Sequence, residues 1–235
     1  MLKSILNKYG LKMLVLDIMP ILDSSTNYLE NNSYFLDDNT PLLIERSQSD
    51  DKNIIHTLIK KGAYTNVKSR QGDAPLHIAA EYGNIDAIKI LLSYGVDVRA
   101  KTFGNIHMPL QLAARQGYKD IVKILLDKGT NAKAKDNNNN TPLHAVVFCN
   151  DNIEVVEVLI QAGANMNVKN KEGYTSIHLA AIRGYVKATA VLIRRSDNIN
   201  IKDGEDKTPI LLAICHGQLR IVKMLLQHKK TNIRF

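Results

Sequence analysis

The sequence predicts an all-α repeat protein, a linear stack of helix-turn-helix units, and three observations carry that prediction. Pro41, Pro75, Pro109, Pro142 and Pro209 recur at steps of 34, 34, 33 and 67 residues, the last being two steps with Ser176 in the intervening slot. Glycines keep the same register, eight residues past the proline slot at Gly83, Gly117, Gly184 and Gly217, and near the unit's end at Gly62, Gly95, Gly129 and Gly163. Between them apolar residues fall at helical spacing, as in Ile85, Ile88, Leu91 and Leu92 or Ile121, Ile124, Leu125 and Leu126.

Each element of the unit has a local reason. Proline suits the first position of the first helix because its missing N–H has no partner there, and a preceding Thr can offer its hydroxyl as the cap. Paired small residues, Ala79 with Ala80, Ala113 with Ala114 and Ala180 with Ala181, let that helix approach a neighbour closely. Glycine then ends it, and a second helix carries the bulky Leu and Ile pairs. An extended turn returns to the next proline. One unit cannot bury both of its faces, so stability has to come from stacking.

Aligned on the proline slot, the chain reads A-P-L-H-I-A-A from Ala74, M-P-L-Q-L-A-A from Met108, T-P-L-H-A-V-V from Thr141 and T-S-I-H-L-A-A from Thr175. With unit ends such as G-A-N-M-N-V-K-N from Gly163 to Asn170, these segments resemble ankyrin repeats over residues 39–235. The units run over residues 39–72, 73–106, 107–139, 140–173, 174–206 and 207–235, behind an N-terminal extension or capping segment at 1–38. The resemblance implies a solenoid of helix pairs with β-hairpin fingers and a concave face that binds other proteins.

Departures from the pattern mark where distortion is expected. Glu45 and Arg46 take the paired small-residue slots of the first unit, and Ser49 replaces its glycine. The fourth unit has Val146 and Val147 for the alanines and one extra residue before Glu154, which lengthens its inter-helix turn. Residues Phe103 to Met108 lack the usual finger chemistry, and the last unit stops at Phe235 with no finger after it. Asn137 to Asn140 fill a fingertip, where Asn tolerates positive φ.

Composition narrows the function classes. The chain has 235 residues, 45% hydrophobic and 23% charged, which are ordinary values for a folded soluble protein. Its formal charge is +8, divided between an acidic head at 1–51 with eight acidic and four basic side chains and a body with 27 basic and 15 acidic ones. Met13 to Leu22 follows Lys3, Lys8 and Lys12 like a signal peptide's apolar region, but Asp17 and Pro20 interrupt it and no cleavage pattern follows. The reading is a terminal helix, no membrane span, and a cytoplasmic protein, or one delivered to a host cell's cytosol because its Asn, Ile and Lys usage is similar to that of intracellular bacteria and large viruses.

Chemistry-bearing motifs are absent from the sequence. There is no nucleophile elbow, P-loop, dinucleotide fingerprint or zinc-protease helix, and Cys149 and Cys215 form no C-x-x-C. His77, His144 and His178 share one slot, a full repeat apart, so they cannot converge on one metal ion, and the expected role is a structural hydrogen bond to the neighbouring turn. Cys215 beside His216 is the one pair with reactive types. The reading is therefore a monomeric, noncatalytic module with no cofactor and no metal.

Its partner is expected to be a protein. In the geometry the resemblance implies, two residues after the small pair, and variable finger positions, face the concave groove. The candidates are Glu81, Tyr82, Arg115, Gln116 and Arg183 on the helices, and Arg70, Gln71, Asp73, Lys171 and Tyr174 on the fingers. The wider helix set adds Phe148, Cys149, Ile182, Cys215 and His216. A second reading is a basic edge for nucleic acid or anionic surfaces, because Lys68, Lys101, Lys135, Lys169 and Lys202 recur along the fingers.

Overall fold

The protein is seen in a computed structural model that describes residues 39–48, 52–69, 72–103, 107–196 and 198–228. The signal-like stretch and the acidic head up to residue 38 lie outside the described residues, as do Ser49, Arg70, Gln71 and Phe235.

Twelve helices in six pairs make up the described fold. They are α1 Asn39–Arg46 with α2 Lys52–Lys60, α3 Pro75–Tyr82 with α4 Ile85–Ser93, and α5 Pro109–Gln116 with α6 Lys119–Asp127. Then come α7 Pro142–Cys149 with α8 Ile153–Gln161, α9 Ser176–Arg183 with α10 Val186–Arg195, and α11 Pro209–Cys215 with α12 Leu219–Gln227. Every first helix packs on the first helix of the next pair and every second helix on the next second helix, which is a helix-pair solenoid. The alanine pairs of α3, α5 and α9 are fully buried between first helices, as are Val146 and Val147 in α7. Leu91, Leu125 and Leu159 fill the layer beneath, and each such side chain contributes roughly 1.5–3 kcal/mol by leaving water.

The turn glycine meets two demands at once. Gly184 ends α9 with φ +76, and a Cβ there would run into the side chain of Gln218 one unit on. Gly83 has φ +82 and lies under the Tyr118 ring in the same way. In the fourth unit the extra residue does lengthen the turn. Asn150 leaves the helix in extended geometry, φ −152, and its amide donates to Arg115 O at 2.6 Å. Asn152 caps α8, while the Asp151 carboxylate accepts the Lys187 and Ala188 N–H groups at 3.1 and 2.7 Å and so caps α10 of the next unit.

The recurrent histidine is a staple between units. His77 Nδ1 accepts the Ala74 N–H at 3.1 Å and its Nε2 faces Ala100 O at 2.9 Å. His144 bonds Thr141 N–H and Tyr174 O in the same way, and His178 bonds Thr175 N–H and Lys207 O. Such a ring must be neutral with its proton on Nε2. Burial pushes His77 and His178 down to about 4, and lowers His144 too, against the opposing pull of the carbonyl bonds. Gln111 takes this slot in the third unit, with Oε1 accepting the Met108 N–H at 3.0 Å and Nε2 donating to Asn140 O at 2.9 Å. The threonine hydroxyl does not supply the expected cap bond. In both Thr141 and Thr175 it sits 2.8 Å from the Nδ1 of the histidine three residues on, the same ring nitrogen that accepts the threonine's own N–H.

The fingers are short turns. Ser69, Asp136, Asn170 and Asp203 each donate their N–H to the carbonyl four residues on, and no strand is assigned among the described residues. The fourth position of these turns is Gly72, Asn139, Gly173 or Asp206, all at positive φ, as the asparagine run leads one to expect. The residue opening the turn also accepts backbone N–H groups with its side chain, Asp136 Oδ1 from Asn138 and Asn140 at 2.8 Å. Between the second and third units the closing pair is Thr102 and His107, one residue wider.

The two flanking units differ from the middle. Glu45 and Arg46, 3.8 Å apart, are half-buried where other units hold alanines, yet α1 and α2 still pair and Leu43 is fully buried. At the other side Ile214 is 51% exposed, although Ala80, Ala114, Val147 and Ala181 in the same slot are fully buried. Leu219 and Leu226 are exposed there as well, and among the described residues nothing comes within 4 Å of where a Cβ on Gly217 would stand.

Candidate partner-binding groove

The ends of the first helices place a row of side chains along one face of the stack. The slot after the small pair holds Glu81, Arg115, Phe148, Ile182 and Cys215, and the next holds Tyr82, Gln116, Cys149, Arg183 and His216. The stack sets their spacing, because each slot is one unit from the next and the first helices beneath are packed through buried alanines and, in α7, through Val146 and Val147. Tyr82 is 55% exposed and Phe148 50%, large apolar surfaces that the stack does not need.

Charge within the row is partly self-satisfied. Arg115 Nη2 donates to Glu81 Oε1 at 2.6 Å, an ion pair bridging α3 and α5. Arg183 instead lies over the Phe148 ring, 4.3 Å from its centre. Gln116, Cys149 and Cys215 point outward, exposed. His216 Nδ1 bonds its own helix at Leu212 O, 2.9 Å, so the Cys215–His216 pair is not joined through that nitrogen.

Finger candidates separate into three kinds. Asp73 is half-buried, its N–H on Ser69 Oγ at 3.1 Å, and burial together with the nearby Glu81 charge raises its carboxyl above the usual range. Tyr174 is half-buried too, and its carbonyl is the acceptor for His144, so its backbone serves the stack while its ring stands 6.2 Å from His178. Lys171 is exposed, and its N–H donates to Asn138 O at 2.9 Å, tying neighbouring fingers together. Arg70 and Gln71 lie outside the described residues.

Of the finger lysines, Lys68 donates to Lys101 O at 2.6 Å and stands 5.1 Å above the Phe103 ring, and Lys202 pairs with Asp206 at 3.3 Å. Lys101, Lys135 and Lys169 are exposed. Among the described residues no group of His, Cys, Asp and Glu could hold a metal ion, and no helix is long and apolar enough to cross a membrane.

Comparison with known proteins accounts for this architecture. A family model for ankyrin repeats matches the chain in three copies, at residues 11–102, 100–170 and 145–234. The chain belongs to the ankyrin repeat family. A stretch of 71 residues is 44% identical to an ankyrin repeat protein of fowlpox virus (strain NVSL), and 65 residues are 42% identical to a second one from the same virus. These stretches cover 29% and 28% of this chain but only 14% and 10% of the two viral proteins. Ankyrin repeat proteins are generally noncatalytic modules for protein–protein interaction.

Two features of this ankyrin array were not singled out from sequence. Gln111 stands in for the recurrent histidine, a substitution that the slot alignment could have exposed, since an amide offers the same acceptor and donor as a neutral imidazole. The stacking of Arg183 on Phe148 joins residues 35 positions apart, and no local signal announces it.

Proposed function

We propose that this ankyrin repeat protein is a noncatalytic adaptor or effector that binds a protein partner through the face carrying the first-helix row and the fingers. The observation that carries the reading is the row itself: exposed Tyr82, Gln116, Phe148 and Arg183 on helices whose opposite sides are buried. Aromatic and Arg side chains on a preorganised backbone lose little freedom on docking, which is what gives such residues large effects on affinity. Glu81, Arg115, Asp73, Lys171, Tyr174, Arg70 and Gln71 complete the proposed contact set. The viral relatives support action inside a host cell.

Affinity capture with mass spectrometry, at low and physiological salt, tests the reading. The wild type is compared with a triple variant, Tyr82→Ala, Arg115→Ala and Arg183→Ala. One protein retained at physiological salt and lost with the variant is the expected result. Equal recovery of all partners by both proteins would overturn the groove assignment.

A second reading uses the finger edge, where Lys101, Lys135 and Lys169 are exposed and repeat at unit spacing. It predicts capture of nucleic acid that collapses between low and physiological salt. Loss of that capture on Lys101→Glu, Lys135→Glu and Lys169→Glu, with the groove intact, is the result that would favour it.

A further inference from the structure

The groove reading leaves the chemistry of the partner open, and the inference made here rests on that reading. Along the row the charges are not arranged alike. At one end Glu81 and Arg115 neutralise each other, with the Asp73 carboxyl close by. Farther along, the Arg183 guanidinium covers the exposed Phe148 ring, and among the described residues no carboxylate pairs with it. A guanidinium stacked on an aromatic face keeps the N–H donors at its edge available, held in one plane. The slots beside it hold exposed Cys149 and His216 on either side of Arg183, and half-buried Ile182, which repeats the Phe148 slot in the next unit.

We propose that the Phe148–Arg183 step anchors a partner segment bearing a carboxylate next to an apolar side chain. The carboxylate takes the free edge of the guanidinium, and the apolar group lies against Phe148 and Ile182. Charge complementarity favours this occupant in a chain of formal charge +8. A nucleic-acid backbone fits less well, because phosphates reward a row of cations and the neighbouring slots hold Gln116, Cys149 and Cys215.

The test is selection of a random peptide display library on the immobilised full chain, followed by fluorescence anisotropy of the selected peptides. The variants are Arg183→Glu, Phe148→Ala and the pair Tyr82→Ala with Arg115→Ala, each checked for fold by circular dichroism. The expected peptides carry Asp or Glu within two residues of Leu, Ile or Phe. They lose about tenfold or more in affinity with Arg183→Glu. A Glu→Gln change in the peptide then weakens binding to the wild type and not to that variant. Peptides without acidic enrichment, or bound equally by Arg183→Glu, overturn the anchor. If such peptides still weaken with Tyr82→Ala and Arg115→Ala, the groove stands and only the anchor falls. If no variant along the row alters binding, or no peptide is selected, both fall. Tight binding of a single-stranded oligonucleotide that Arg183→Glu abolishes also overturns it.

Discussion

At the scale of single residues, the imidazole slot makes the protein acid-sensitive. His77 and His178 titrate near 6.5 when unfolded and about 4 when folded, so well above pH 6.5 both states are neutral and stability does not change with pH through them. As the pH falls from 6.5 toward 4 the unfolded chain binds protons that the folded chain refuses, and stability drops by roughly 3 kcal/mol for each ring. Urea unfolding at pH 7.5 and 5 checks this, an unchanged midpoint being the contrary result. The glutamine at position 111 suggests the control. His178→Gln should keep most of the stability at pH 7.5 and remove part of the pH dependence, whereas His178→Ala leaves the Thr175 N–H and Lys207 carbonyl without their ring partner and should cost about 1–3 kcal/mol. A second expectation concerns the thiols. Cys149 and Cys215 are both exposed, so both should react with a thiol reagent in the native state as fast as in the unfolded one, within about a factor of ten.

Among the elements, the turn glycines differ in what they cost to replace. Gly184→Ala meets both a positive φ of +76 and the Gln218 side chain, while Gly217→Ala meets only the φ of +69 with open space beyond. The first should lower stability by about 2–4 kcal/mol and the second by about 1 kcal/mol, read from denaturant midpoints. Equal losses would mean that Gln218 yields freely. Much of this level was legible in sequence, because helix starts at Pro75, Pro109, Pro142 and Pro209 and the turn after each glycine follow from backbone sterics within a few residues. The threonine hydroxyl's partner was not legible, because it lies against the Nδ1 of a histidine three residues on, and that ring is held at its far nitrogen by a carbonyl of the next unit.

For the whole molecule, a stack held by neighbour contacts loses stability where a neighbour contact is missing. Ile214 is half exposed in a slot where Ala181 is sealed, so Ile214→Asp should change stability by less than about 1 kcal/mol and Ala181→Asp should cost several. Hydrogen exchange followed by mass spectrometry should find α11 and α12 opening before α5 to α8, and uniform protection across all pairs would contradict a nearest-neighbour array.

Sequence by itself determined the period, the helix-turn-helix unit and the ankyrin family, since proline, glycine and apolar spacing act over a few residues and then repeat. It also placed Tyr82, Arg115 and Arg183 on one row, because a fixed slot in a repeat maps to a fixed face. Only tertiary structure decided which of those side chains are occupied: Arg115 by Glu81 across 34 residues, and Arg183 by Phe148 across 35. The physical reason is that both contacts are made between units, where the distance along the chain is a whole repeat. The choice there between ion pair and ring is set by side-chain reach in space and not by any local propensity.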